Sequence, residues 1–184
     1  KKKKPRHNAG FFVVDTLLNF FEDDKEDSIS FADKASRVTS INRSHSGGGR
    51  GSGRTTIESS AGCLIFLKPQ TGMNYSGKAV RVAVERFSIS PENLLVIHDD
   101  LDIDLGEYKL QKGRGAAGHN GVKSVINALG TKDFWRLRVG ISRPSEKVEP
   151  ADYVLEEFTD SELEIIDILA KEELVEVVEK WLSK

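Results

Sequence analysis

Apolar positions recur at helical spacing soon after the start of the chain. Phe11, Val14, Leu17, Leu18 and Phe21 would share one face of a helix, with Asn8 as its N-cap. The polar stretch "EDDKEDS" closes that helix. Two strand-like pieces follow, "ASRVTSI" and "RTTIES". Between them lies "NRSHSGGGRGSG", a Gly/Ser/Arg tract expected to be a flexible loop over residues 44–54. "GCLIFLKP" is a short apolar run ended by Pro69 and predicts a buried strand. "NYSGKAVRVAVERF" predicts a helix capped by Asn74, with Val80, Val82, Val84 and Phe87 as apolar surface. "ENLLVIHDD" is the clearest strand, its polar residues massed at the C-terminal end. "GEYKLQK" predicts another strand, "HNGVKSVINALG" a helix stopped by Gly130, and "FWRLRVGIS" a strand with outward arginines. From Ser161 to Lys184 the pattern is an amphipathic helix, or two, with Leu163, Ile166, Leu169, Leu174, Val177 and Val178 inward.

Strands alternating with helices predict a single α/β domain over residues 1–184: a mixed central β-sheet flanked by helices on both faces. In such sheets ligands bind beyond the carboxyl ends of the strands. That rule directs attention to Asn74, to "HDDLD" and to "GHNG", each just past an apolar run.

Composition narrows the function classes. The 184 residues suit one core, and 38% hydrophobic with 30% charged residues is a soluble globular profile. A formal charge of −2 excludes a global basic field, so nucleic-acid contact would need local patches. One cysteine, Cys63, excludes an intramolecular disulfide framework and suits a reducing compartment; in its apolar run it reads as a buried, inert thiol. No run of 18 apolar residues occurs, so no membrane span is expected, and no signal-peptide pattern opens the chain. The opening "KKKKP", residues 1–5, reads as a solvated arm, with phosphate binding as the sharper alternative.

Several chemical motifs fail on inspection. "GMNYSGK" matches a phosphate loop at Gly72, Gly77 and Lys78, but Ala79 stands where a magnesium-binding hydroxyl belongs. Asn74 and Tyr75 are also bulky for a phosphate cradle. "DLDIDLGEYKLQ" approaches a calcium loop, yet Leu105 replaces the turn glycine and Gln111 the bidentate glutamate. His and Asp are scattered without metal-ligand spacing, so no metal is expected. Ser76 lacks a nucleophile elbow. What remains is a set of histidines, an aspartate and carboxamides at predicted element ends: His7, Asp99, His119, Asn74 and Asn120. A histidine oriented by a carboxylate can deprotonate water near neutral pH, and asparagine amides can hold a carbonyl or its oxyanion. Taken singly, Asn74 and Asn120 read equally well as helix caps. Together the set suggests cofactor-free, metal-free hydrolysis of an activated ester.

The blocks "RHNAGF", "KPQTGMNYSG", "LLVIHDDLDIDLG", "GAAGHNGVKS" and "FWRLRVGISRP", in that order and followed by "DYVLEEF", resemble the bacterial-type peptidyl-tRNA hydrolases. The resemblance covers most of the chain outside residues 22–60. It implies hydrolysis of the ester joining a peptide to tRNA, by a monomer that needs no cofactor and no membrane. His7 would be the general base and Asp99 its orienting partner. Asn74, Asn120, His119 and Met73 would contact the peptidyl end, and Lys109, Lys112, Arg136 and Arg138 the tRNA phosphates. The implied setting is the bacterial cytoplasm, or a mitochondrion or plastid, with ribosome association as a further partner. Where the family has an apolar strand, a Gly-Asn-Pro-Gly turn and a Tyr, this sequence has "KKKKP", which replaces or hides them. That departure keeps a second class open: a hydrolase-like RNA- or ribosome-binding protein that has lost catalysis.

Overall fold

The computed structural model describes residues 4–23, 28–33, 36–42, 63–144 and 147–184. "RTTIES", the 44–54 tract, Lys1, Lys2 and Lys3 lie outside them. A 3-10 turn at Arg6–Asn8 runs directly into α1 (Ala9–Asp23), so Asn8 belongs to the turn rather than standing as an isolated cap. Strands β1 (Ser28–Asp33), β2 (Ser36–Asn42) and β3 (Cys63–Pro69) pair antiparallel in the order β1-β2-β3. β1 was not anticipated, because "SISFAD" is short and weakly apolar. Its pairing with β2 over its own full length supplies what its composition lacks.

The second sheet positions the site. β4 (Leu95–Asp100) runs parallel to β6 (Trp135–Gly140), which pairs antiparallel with β5 (Tyr108–Lys112), giving the order β4-β6-β5. This is the expected mixed sheet, with the other three strands hydrogen-bonded into a sheet of their own. Alternation along its strands sends Leu95, Ile97, Tyr108, Leu110, Leu137 and Val139 to one face. There they join Val13 and Leu17 of α1 and Ile166, Leu169, Leu174 and Val178 of the C-terminal helices. Val96 and Phe134 pack on the opposite side with Val80 of α2 (Ser76–Arg86) and Val125 of α3 (Asn120–Leu129). Helices therefore cover both faces. Gly130, in a left-handed conformation with φ 68°, ends α3 as anticipated.

Two details of the helices differ from the sequence reading. Asn74 does not cap α2; it sits inside a 3-10 turn, Met73–Tyr75, that precedes it. Val82 is 53% exposed, because Ala79, Val80 and Ala83 make the buried face at helical spacing. Beyond the short α4 (Pro150–Tyr153), the C-terminal segment is α5 (Asp160–Leu169) and α6 (Val175–Leu182), joined by a π-helical turn at Ala170–Leu174. The wider turn adds a residue to the helical phase, which brings Leu174, Val175 and Val178 inward while Glu172 and Glu173 stay exposed.

Candidate active site

His7 is held by its own backbone. Its N–H donates to the Val154 carbonyl (2.8 Å), and the Arg6 N–H donates to that of Glu156 (2.9 Å). Phe158 N–H donates to Lys4 (3.0 Å), and Pro5 bridges Glu157. The segment before α1 thus runs antiparallel to residues 154–158. The Arg6 guanidinium lies 4.4 Å from the Tyr153 ring centroid and donates to both carboxylate oxygens of Glu162 (2.7 and 3.0 Å). Glu162 also closes a capping box with Thr159 at the start of α5. Sequence reasoning passed over this anchor. Its signals were the arginine beside His7 and the T-x-x-E spacing of Thr159 and Glu162.

The first turn of α1 lies against β4. A Cβ on Gly10 would fall 2.3 Å from the Ile97 carbonyl oxygen, so only glycine permits the approach. That proximity brings His7 to Asp99, at the C-terminal end of β4 and 3% exposed. His7 Nδ1 lies 2.9 Å from each carboxylate oxygen of Asp99, and His119 Nε2 lies 3.0 Å from Oδ1. The two imidazole centroids are 4.8 Å apart.

The hydrogen bonds settle where the protons reside. Burial alone would push the Asp99 carboxyl up, but the N–H donors of His119 and His7 outweigh it and hold the group well below the usual carboxylate range. A carboxylate only accepts, so a neutral His7 ring carries its proton on Nδ1 and has its lone pair on Nε2. His119 is the N-cap of α3: its Nδ1 accepts from the Val122 N–H (3.2 Å). Its own proton is therefore on Nε2, given to Asp99. His98, 5% exposed, donates from Nδ1 to the main-chain oxygen of Asp99 (2.7 Å). Its Nε2 has no partner among the described residues, and burial, followed by the neighbouring His119, pushes it down to about 3, so its ring is neutral.

His7, Asp99 and His119 offer three potential metal-ligand atoms within 4.8 Å of one another. The donor set fits a cation poorly. Coordination by His119 Nε2 would move its proton to Nδ1, where it would face the Val122 N–H and undo the helix cap.

The carboxamides flank this group. Asn120 opens α3 directly after His119, and Gly121 follows it. A Cβ on Gly121 would fall 2.4 Å from Met73 Sδ, so the Met73–Tyr75 turn is seated against the start of α3. Asn74 and Asn120 are both exposed and available to a substrate. The arrangement offers a buried carboxylate, a histidine with a free Nε2 and two exposed carboxamides, which is the equipment for water activation beside a held carbonyl.

The anticipated basic set separates. Lys109 is exposed and stands opposite Arg138 in the β5–β6 register. Arg138 Nε donates to Asp100 (2.7 Å), and its Nη1 donates to Gln111 (3.3 Å). Arg136 is only 2% exposed, so as it stands its side chain offers a phosphate little surface. Lys112 is exposed too, but it does not share a face with Lys109 and Arg138. Three residues from Lys109, it falls on the other face of β5, and its ammonium lies 6.0 Å from the Trp135 ring centroid. Arg114, in the loop after β5, is exposed; after burial and the neighbouring Arg138, its charge adds to what lowers the affinity of Arg136 for its proton.

Comparison with known proteins supplies a family. The family model for peptidyl-tRNA hydrolase matches residues 1–184. The peptidyl-tRNA hydrolase of Rhodococcus jostii is 39% identical over 170 residues, 92% of this chain and 80% of that protein. That of Mycobacterium tuberculosis is 40% identical over 161 residues, 86% of this chain and 73% of that protein. The Corynebacterium efficiens relative reaches 49% over 107 residues, spanning 58% of this chain and 60% of that protein's length. Among solved structures, the crystal structure of peptidyl-tRNA hydrolase from Acinetobacter baumannii superposes with a TM-score of 0.72 at 27% identity, covering 98% of this chain and 85% of that one.

Proposed function

Because the chain belongs to the peptidyl-tRNA hydrolase family, we propose that it cleaves the ester between peptide and tRNA with His7 as general base. The observation that carries this reading is the commitment of His7 Nδ1 to buried Asp99, which leaves Nε2 as the basic atom. Nε2 takes a proton from water as the oxygen attacks the ester carbonyl. Asp99 stabilises the imidazolium that forms. Asn74 and Asn120 hold the substrate carbonyl and the oxyanion it becomes. As the carbon–oxygen bond to the ribose breaks, the imidazolium returns its proton to the departing ribose oxygen, freeing peptide and tRNA.

Lys109 and Arg138 take the tRNA backbone in this proposal, with Arg114 beside them. The bacterial sources of the relatives fit a cytoplasmic enzyme in this reading. A binding module without catalysis is disfavoured by the intact pairing of His7 with Asp99. The test is peptide release from an N-acylated aminoacyl-tRNA. Wild type should turn over, and His7→Ala should lose about 10²- to 10⁴-fold in kcat with its fold retained. Equal low rates in both proteins would refute the assignment.

A further inference from the structure

His119 sits where a second acid–base residue could act, yet both of its ring nitrogens are already committed. Nδ1 accepts from the Val122 N–H at the start of α3, and Nε2 donates to Asp99. Protonating Nδ1 would turn the cap acceptor into a donor facing another donor, and deprotonating Nε2 would present a lone pair to a carboxylate. Neither change leaves the contacts intact. The ring is also enclosed. His98 of β4 stands edge-on to it with centroids 4.7 Å apart, and His7 lies 4.8 Å away from the turn before α1. The Met73–Tyr75 turn contributes the Met73 thioether, close to the same point as His119 Cε1 beside Gly121. Among the described residues, the titratable groups in contact with the ring are thus Asp99, His98 and His7.

From this geometry we propose that His119 is a positioning residue held in a single neutral tautomer, tying the first turn of α3, and with it Asn120, to the carboxylate that seats His7. The proposal rests on the function assigned above only where it speaks of rate. His119 takes no proton during the reaction. It holds Asn120 in step with His7 through one ring, and it shares the charge of Asp99, which tempers how strongly that carboxylate draws on the His7 N–H.

Imidazole nitrogen NMR on the ¹⁵N-labelled full-length protein tests the tautomer without reference to activity. At about pH 7.5 His119 should show a protonated Nε2 and a bare Nδ1. A protonated Nδ1 there would overturn the proposal even if the protein proved to be an active hydrolase. His119→Asn tests the coupling, because asparagine can still cap α3 but gives Asp99 no comparable donor. In that variant Asp99 has one donor fewer and should favour the His7 imidazolium more. The acidic limb of the kcat/KM profile should then move up by about half a pH unit or more. kcat should fall about tenfold with little change in KM. A folded His119→Asn protein whose acidic limb stays put would refute the coupling. Should the variant fail to fold, the wild-type spectrum still decides the tautomer on which the proposal stands.

Discussion

A neutral imidazole buried beside a carboxylate ties the protein's stability to pH. His98 is held down to about 3 in the folded protein, against an ordinary value near 6.5 when unfolded. The unfolded chain binds a proton there as pH falls below about 6.5, and the folded chain does not until about 3. Stability from this residue is therefore complete above about pH 6.5 and drains away as the pH drops toward 3, on the order of 1 kcal/mol for each unit crossed. Asp99, with its folded value depressed, adds a separate loss that begins only near the ordinary carboxylate range. Urea unfolding at stepped pH should give a shallower slope between about pH 6.5 and 4 for His98→Asn, whose amide can replace the Nδ1–H donor. Equal slopes in the two proteins would remove His98 as the source. At this scale much of the site could be read from residue chemistry: His7, Asp99 and His119 do meet. Their tautomers could not, because each depends on a partner brought from elsewhere, such as the Val122 N–H three residues along α3. The buried state of Arg136 was equally hidden, since the alternation that turns an arginine away from one face does not say whether a helix or water covers the other.

Helices and strands with a strong period were legible: α1, α3 and the three strands of the mixed sheet all form where the pattern predicts them. Junctions were not. The 3-10 turns before α1 and α2 and the π-turn between α5 and α6 arise from packing demands rather than local preference. The junction at Thr159 carries the most consequence, because Glu162 there serves both a helix cap and the buried Arg6. Glu162→Gln keeps the capping geometry and removes the charge. Arg6 is 7% exposed, and its Nε already lacks a partner among the described residues, so losing the carboxylate should cost about 1–3 kcal/mol in denaturant unfolding. A midpoint within about 0.3 kcal/mol of wild type would mean that the ion pair contributes nothing net.

Across the whole molecule, the proposed function has a nearly neutral chain meet a polyanion through a few cations on one face of one sheet. Replacing exposed Lys109 by Ala should lower the salt dependence of tRNA binding by about one phosphate contact and leave the unfolding midpoint unchanged. Arg138→Ala should do the same to the salt slope while also destabilising the fold, because Asp100, itself held low by Arg138, would lose its counter-charge. An unaltered slope in both would move the tRNA face elsewhere. The antiparallel seat of His7 has a further consequence in time. Arg6 and Glu162 are separated by 156 positions. At ribosomal rates of about 5–20 residues per second, His7, the proposed general base, is made roughly 8–30 s before its clamp exists. A nascent chain in which α5 has not yet emerged cannot close the active site. Long-range closure of this kind is also slow in folding, so catalytic competence should be among the last properties the newly made protein acquires.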